Sequence, residues 1–123
     1  DYIRHLADVI NSVSMLGGVV VVGRGANFIV GRDRGFNIRV IAPAECRRAN
    51  LSEYQGLGAA DAAREVEVSD RERSEFIRRY FGKDIDDANH YDMVINTAQI
   101  SMETVINAVS VAALDKFERI RPR

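Results

Sequence analysis

Apolar residues at Ile3, Leu6, Val9, Ile10 and Val13 recur at a helical period, so residues 2–15 are expected to form an amphipathic helix that stops at Gly17-Gly18. The pattern then changes. Val19–Val22 is an unbroken β-branched run and reads as a strand buried on both faces, as in a parallel sheet. Ala26–Val30 reads as a short helix and Gly31–Gly35 as a turn. Phe36–Ala42 (FNIRVIA) alternates and then becomes fully apolar, giving a second strand; Pro43 stands where a helix begins, and Ala44–Tyr54 continues it. Residues 59–80 are helix-compatible and heavily charged. They form either one long helix or two, with Ser69 capping the second because Glu72 stands three residues on. Gly82 to His90 is a polar, acidic loop, Met93–Ile95 a short third strand inside YDMVINT, and Ser101 opens a last helix through about Leu114. The tail Arg119–Arg123 reads as basic and frayed.

Strands separated by helices imply right-handed crossovers and a parallel sheet with helices on its faces, an α/β class. In such sheets ligands bind beyond the carboxyl ends of the strands. The positions to inspect are therefore Gly23-Arg24-Gly25, Ala42-Pro43 with Glu45 and Arg47 behind, and Asn96-Thr97. GGVVVVGRGANFIV comes close to two phosphate-cradling motifs and fits neither. The dinucleotide fingerprint needs a glycine where Phe28 stands, and the phosphate loop needs Lys-Ser/Thr where Arg24-Gly25 stands. Four valines in a row suit a strand and cannot wrap a phosphate with backbone amides. What the glycines do offer is Arg24, a charged side chain projected at the strand's end.

The second constellation is the segment SDRERSEFIRR, residues 69–79. On a helix Arg71 and Arg78 share a face, with Asp70 and Arg73 on the flank. Guanidinium groups so placed could offset the charge of a polyphosphate during transfer. The plainer reading is a solvated helix laced with ion pairs, such as Asp70 with Arg73 and Glu75 with Arg78 or Arg79.

Composition narrows these choices. With 46% hydrophobic and 28% charged residues in 123, the chain is a globular domain rather than a disordered segment. A net charge of −1 gives no footprint for nucleic acid. No apolar run reaches the roughly 20 residues of a membrane span, and the reading is cytoplasmic with no membrane partner. Of the basic residues only Lys83 and Lys116 are lysine; the other 15 are arginine, the side chain whose planar fork grips phosphate and carboxylate in bidentate fashion. The single Cys46 forms no internal disulfide and lacks a histidine partner for nucleophilic work. His5 and His90 stand 85 positions apart and suggest no zinc site, and Asp84, Asp86 and Asp87 lack the glycine and terminal glutamate of a calcium loop, so no metal ligands are assigned.

The order of pieces, strand-GRG, strand-APAE-x-R, the DRER helix, then YDMVINT and the SMETVI helix, resembles the C-terminal two-thirds of the cytidylate kinase-like family over about Gly17 to Val109. These are relatives of the nucleoside monophosphate kinases, and the resemblance implies a P-loop kinase-like, three-layer α/β/α fold. It also implies roles. Arg24 matches an arginine that contacts the acceptor nucleotide, and Arg47 matches one that approaches the donor. Asp70, Arg71 and Arg73 match the lid that closes over the phosphates, Asp70 on the acceptor side, with Arg78 a further contact; residues 59–82 are the lid-like segment. ATP with Mg²⁺ and CMP or another nucleoside monophosphate are the implied substrates.

One departure is large. The family's phosphate loop sits on a first strand that would precede Asp1 and lie between those matching Val19–Val22 and Phe36–Ala42, so the central P-loop strand is missing from this chain. Neither lysine can replace the loop's lysine. The expectation is a single partial domain over residues 1–123, a fragment of a longer protein or half of an assembly in which a homo-oligomer or a partner segment completes the sheet. The alternatives to a kinase are a catalytically inactive nucleotide-binding or assembly module that keeps the fold, and a purely structural α/β interaction domain.

Overall fold

The fold is that of a computed structural model, which describes residues 1–121. In chain order the elements are α1 (Tyr2–Met15), α2 (Ala26–Val30), β1 (Ile38–Ile41), α3 (Ala44–Gln55), α4 (Ala59–Phe81), a 3₁₀ turn (Ala88–His90), β2 (Met93–Asn96) and α5 (Met102–Ile120). Helix α1 is capped by the Asp1 side chain, which accepts from Ile3 N at 3.2 Å, and α5 by Ser101, whose hydroxyl accepts from Thr104 N at 3.1 Å. Helix α4 carries Asp61 in its first turn and Arg78 and Arg79 in its last, charges that suit the two ends of the helix dipole.

β1 and β2 pair in parallel, Ile38 beside Met93 through Ile41 beside Asn96, and α3 and α4 form the crossover between them. The molecule is mixed helix and sheet with this small parallel pair as its sheet. Two expectations change and one open alternative is decided. Val19–Val22 forms no strand: the four valines are exposed by 43, 91, 38 and 86% respectively. Their alternation is that of an extended segment, but a strand exists only where a neighbour accepts its hydrogen bonds, and among the described residues none does. Second, of the two alternatives for the charged segment the single helix is the one formed: residues 59–81 are unbroken and Ser69 caps nothing, because no glycine or proline interrupts the ladder. Third, α5 runs past Leu114 to Ile120, so Arg119 is helical and bonded to Asp115 at 3.0 Å; the rest of the frayed-tail expectation, at residues 122–123, lies outside the described residues.

The buried apolar residues are few: Ile10, Ala62, Val66, Ile77, Ile95 and Val105. Two other devices fasten the elements. At the amino end of the sheet, Asp92 Oδ2 accepts from Asn37 N at 2.7 Å and from Lys116 Nζ at 2.7 Å, joining β1, β2 and α5. The Lys116 and Asp92 side chains retain only 16% and 20% of their exposure, so each is held in a partly dry place. Asp92→Ala would leave the Lys116 ammonium there without a partner and is expected to cost about 2 kcal/mol. Urea midpoints of the variant and of Asp92→Ala/Lys116→Met would check this, the double change recovering part of the loss.

The second device is aromatic. Phe28 of α2 stacks on Phe81 of α4 with centroids 5.3 Å apart and meets His90 edge-on at 5.2 Å, while Phe76 and Tyr2 pack on Tyr80 at 5.0 and 5.8 Å. These contacts tie α1, α2, the end of α4 and the 3₁₀ turn into one cluster.

The acidic loop is ordered by its own carboxylates. Asp84 accepts from Asp86 N, Asp87 from Asn89 N, and Asp86 pairs with Arg39 at 3.1 Å. The bond from the Asn89 amide, foremost, holds the Asp87 carboxyl below its ordinary pKa. Tyr91 closes the loop by donating to Ile85 O at 2.9 Å. Burial raises the Tyr91 pKa, against the opposing charge of Arg39. A phenol whose folded pKa is raised contributes stability that is complete below its unfolded value of about 10 and lost as pH rises through the folded one. Difference titration of phenolate absorbance between the protein and Tyr91→Phe should therefore show the missing ionisation above that value.

Candidate functional site

The carboxyl end of the parallel pair is where the candidate chemistry collects. β1 ends at Ile41, whose carbonyl accepts from Thr97 N at 2.9 Å and from the Thr97 hydroxyl at 3.4 Å, so the ladder continues one step beyond β2. The chain then enters α3 through Pro43. One turn in, Arg47 folds back over the strand end: its Nε donates to Ala42 O at 2.8 Å. Its Nη1 donates to Asp70 Oδ1 on α4 at 2.7 Å. The same carboxylate oxygen lies 3.7 Å from Nη1 of Arg73, one turn further along α4. Two guanidinium groups thus converge on one carboxylate, leaving a local charge of one unit positive. The hydrogen bond to Asp70 raises the pKa of Arg47 further, outweighing burial, and Arg47 is charged at every accessible pH.

The arrangement follows from local sequence. A proline-led helix directly after β1 puts its first turn over the strand end. The uninterrupted α4, packed on α3, brings Asp70 down to meet that turn. Of the ion pairs anticipated on α4, Asp70 with Arg73 is present, while Glu75 pairs with neither Arg78 nor Arg79, which instead lies over the Tyr80 ring at 5.3 Å.

The remaining expected residues are placed differently. Arg71 and Arg78 are exposed and, among the described residues, have no ion-pair partner within 4.0 Å. Seven residues on an unbroken helix turn through about 700°, so the two side chains leave α4 along one stripe. Arg24 is also exposed and sits in a left-handed turn, with φ of 75°, 59° and 67° at Gly23, Arg24 and Gly25. That turn leads directly into α2, and Gly25 is pressed on Phe81 at the end of α4. Asp70 and Phe81 are eleven residues apart, about 16 Å along the helix axis. The structure therefore brings Arg47, Asp70 and Arg73 together and keeps Arg24 near the far end of α4, beside the aromatic cluster. Sequence reading missed that cluster and the Asp92–Lys116 tie; an aspartate directly before the strand in YDMVINT was the available signal for the second.

The model of the cytidylate kinase-like family matches residues 1–99. The chain belongs to the cytidylate kinase-like family. Among characterised relatives, the cytidylate kinase of Staphylothermus marinus is 29% identical over 96 residues, 78% of this chain and 54% of that protein. That of Pyrococcus horikoshii is 28% identical over 104 residues, 85% of this chain and 53% of that protein. The uronate isomerase of Corynebacterium glutamicum is 30% identical over 107 residues, 86% of this chain but only 20% of that protein. The chain thus spans about half the length of the cytidylate kinases it matches. No solved structure matches it.

The described residues offer no ligand set for a resident metal ion. No group of three His, Cys, Asp or Glu side chains converges among them, and Asp70 is committed to arginine. Among the described residues no helix is long and apolar enough to cross a membrane.

Proposed function

We propose that the protein to which this chain belongs transfers the γ-phosphoryl group of ATP to CMP or a related nucleoside monophosphate in the cytoplasmic nucleotide pool. The observation that carries this reading is the cluster of Arg47, Asp70 and Arg73 beyond the carboxyl end of β1, in a chain of the cytidylate kinase-like family. The chain supplies the lid and acceptor side of the site. The phosphate loop belongs to a strand contributed by other sequence or by a partner, which would pair beside the extended Val19–Val22 and complete a three-layer P-loop kinase-like sheet. The exposure of those four valines supports that docking, since covering them removes apolar surface from water.

In this scheme Arg24 holds the acceptor, Arg47 lies on the donor side together with the Asp70 it is bonded to, and Arg71, Arg73 and Arg78 offset charge on the phosphoryl group in flight. Such catalysis works by positioning and electrostatics rather than by a covalent intermediate. The Mg²⁺ arrives with ATP, on the phosphate oxygens. A coupled assay of the full-length protein with ATP and each nucleoside monophosphate tests the reading, with fastest turnover expected for CMP. Turnover with none of them, alongside nucleotide binding by titration, would replace the kinase by a nucleotide-binding module.

A further inference from the structure

The three residues of the cluster are not held alike. Arg47 makes two short bonds from two different nitrogens to acceptors on two different elements, Ala42 O at the end of β1 and Asp70 on α4. Its side chain is 34% exposed, whereas that of Arg73 is 68% exposed and its nearest nitrogen stands 3.7 Å from Asp70, beyond hydrogen-bond length. An exposed pair of that length is worth at most about 1 kcal/mol, so Arg73 can leave it at little cost. Arg47 cannot leave without releasing the strand end and α4 together.

We propose that Arg47 is a positioning residue, a latch that pins the middle of α4 to the end of β1 through Asp70, and that Asp70 keeps the place of a phosphate oxyanion to which Arg73 transfers when nucleotide binds. The inference rests on the phosphotransfer reading for the identity of the anion, and it changes the division of labour within that reading: Arg47 acts through Asp70, and Arg73 is the group that reaches the ligand. The unpaired positive charge of the cluster is what an incoming phosphate would meet. The planar fork suits the latch, because it holds the Nε and Nη1 donors at a fixed spacing toward Ala42 O and Asp70 Oδ1, whereas a lysine ammonium is a point charge on a flexible stem.

Two measurements on the full-length protein test the latch. In steady-state kinetics, Arg47→Lys should lose as much kcat as Arg47→Ala, about a hundredfold, the scale of loss for a misplaced reacting group. Asp70→Ala added to Arg47→Ala should lower kcat little further. Near-native turnover by Arg47→Lys, or losses that multiply in the double variant, would overturn the latch, since Arg47 would then act by charge or independently of Asp70. The second measurement needs no activity. In NMR spectra of the guanidinium groups, the Arg47 Nε–H signal should be protected from exchange and unmoved by inorganic pyrophosphate, while the Arg73 signal shifts. Movement of both signals, or of neither, would overturn the proposal. If the wild-type protein phosphorylates no nucleoside monophosphate, the phosphotransfer reading fails, and the NMR result alone decides the latch.

Discussion

Arg71→Ala and Arg78→Ala in the full-length protein are each expected to lower kcat by about 10²–10³-fold, the scale found when one preorganised donor to a developing charge is removed. Both side chains leave α4 on one stripe, both are exposed, and neither has an ion-pair partner among the described residues that would be orphaned by its loss. Their removal should therefore leave the fold nearly untouched, within about 0.5 kcal/mol as for ordinary surface changes. A loss of activity would then be kinetic in origin. If the two arginines act on charge that develops only in transfer, kcat falls with little change in KM; a rise in KM alone would assign them to ground-state binding. Wild-type kcat in either variant would remove that residue from the catalytic set. Melting curves run alongside would separate a catalytic from a structural loss.

The largest effect on stability is expected at Gly25, where alanine should cost about 4 kcal/mol. Two penalties add. Gly25 holds a left-handed φ of 67°, which costs an L-residue about 1–2 kcal/mol. A Cβ there would also overlap the Phe81 ring, lying 2.8 Å from its Cζ and nearer still to its edge, and such overpacking typically costs about 1–3 kcal/mol. The ring cannot swing away freely, because it stacks on Phe28 and meets Phe76 at 6.1 Å. Gly23→Ala is the control: φ is 75° there but nothing lies within 4 Å of the added methyl, so only the backbone penalty of about 1–2 kcal/mol applies. Denaturant midpoints of the two variants in the full-length protein should differ accordingly. Equal losses would mean that the Phe81 contact contributes nothing.

The GRG turn thus has two roles that the sequence alone presented as one. Its glycines were read as freeing Arg24 to project at the end of a strand, and Arg24 is indeed exposed within a run of three left-handed residues. Gly25 is required for a second reason, the close approach of Phe81, and that contact crosses more than fifty positions of sequence. A similar stretch makes up a fifth of a uronate isomerase, a protein named for a different activity, which gives the assay on the full-length protein its weight.

Local pattern was enough for most elements. Helix α1 follows from the spacing of Ile3, Leu6, Val9, Ile10 and Val13, α5 from the Ser101 cap, and both paired strands from short β-branched runs set between helices; these are properties of neighbouring residues, which the chain carries with it into any context. The family was legible too, since GRG, APAE-x-R, DRER and YDMVINT stand in order along it. Val19–Val22 shows where local pattern stops. Its residues favour an extended backbone and alternate in exposure, but a strand is a pairwise object and needs the hydrogen bonds of a neighbour. The meeting of Arg47 with Asp70 is of the same kind. Sequence assigned these two residues to opposite nucleotides, 23 positions apart, and only the packing of α3 on α4 put one carboxylate within 2.7 Å of that guanidinium. What the amino-acid sequence determined by itself was therefore most of the elements, the family and the inventory of arginines. The tertiary structure alone decided which arginines share a carboxylate and which stand free, because distances between residues far apart in the chain are set by how helices pack and not by what each helix is.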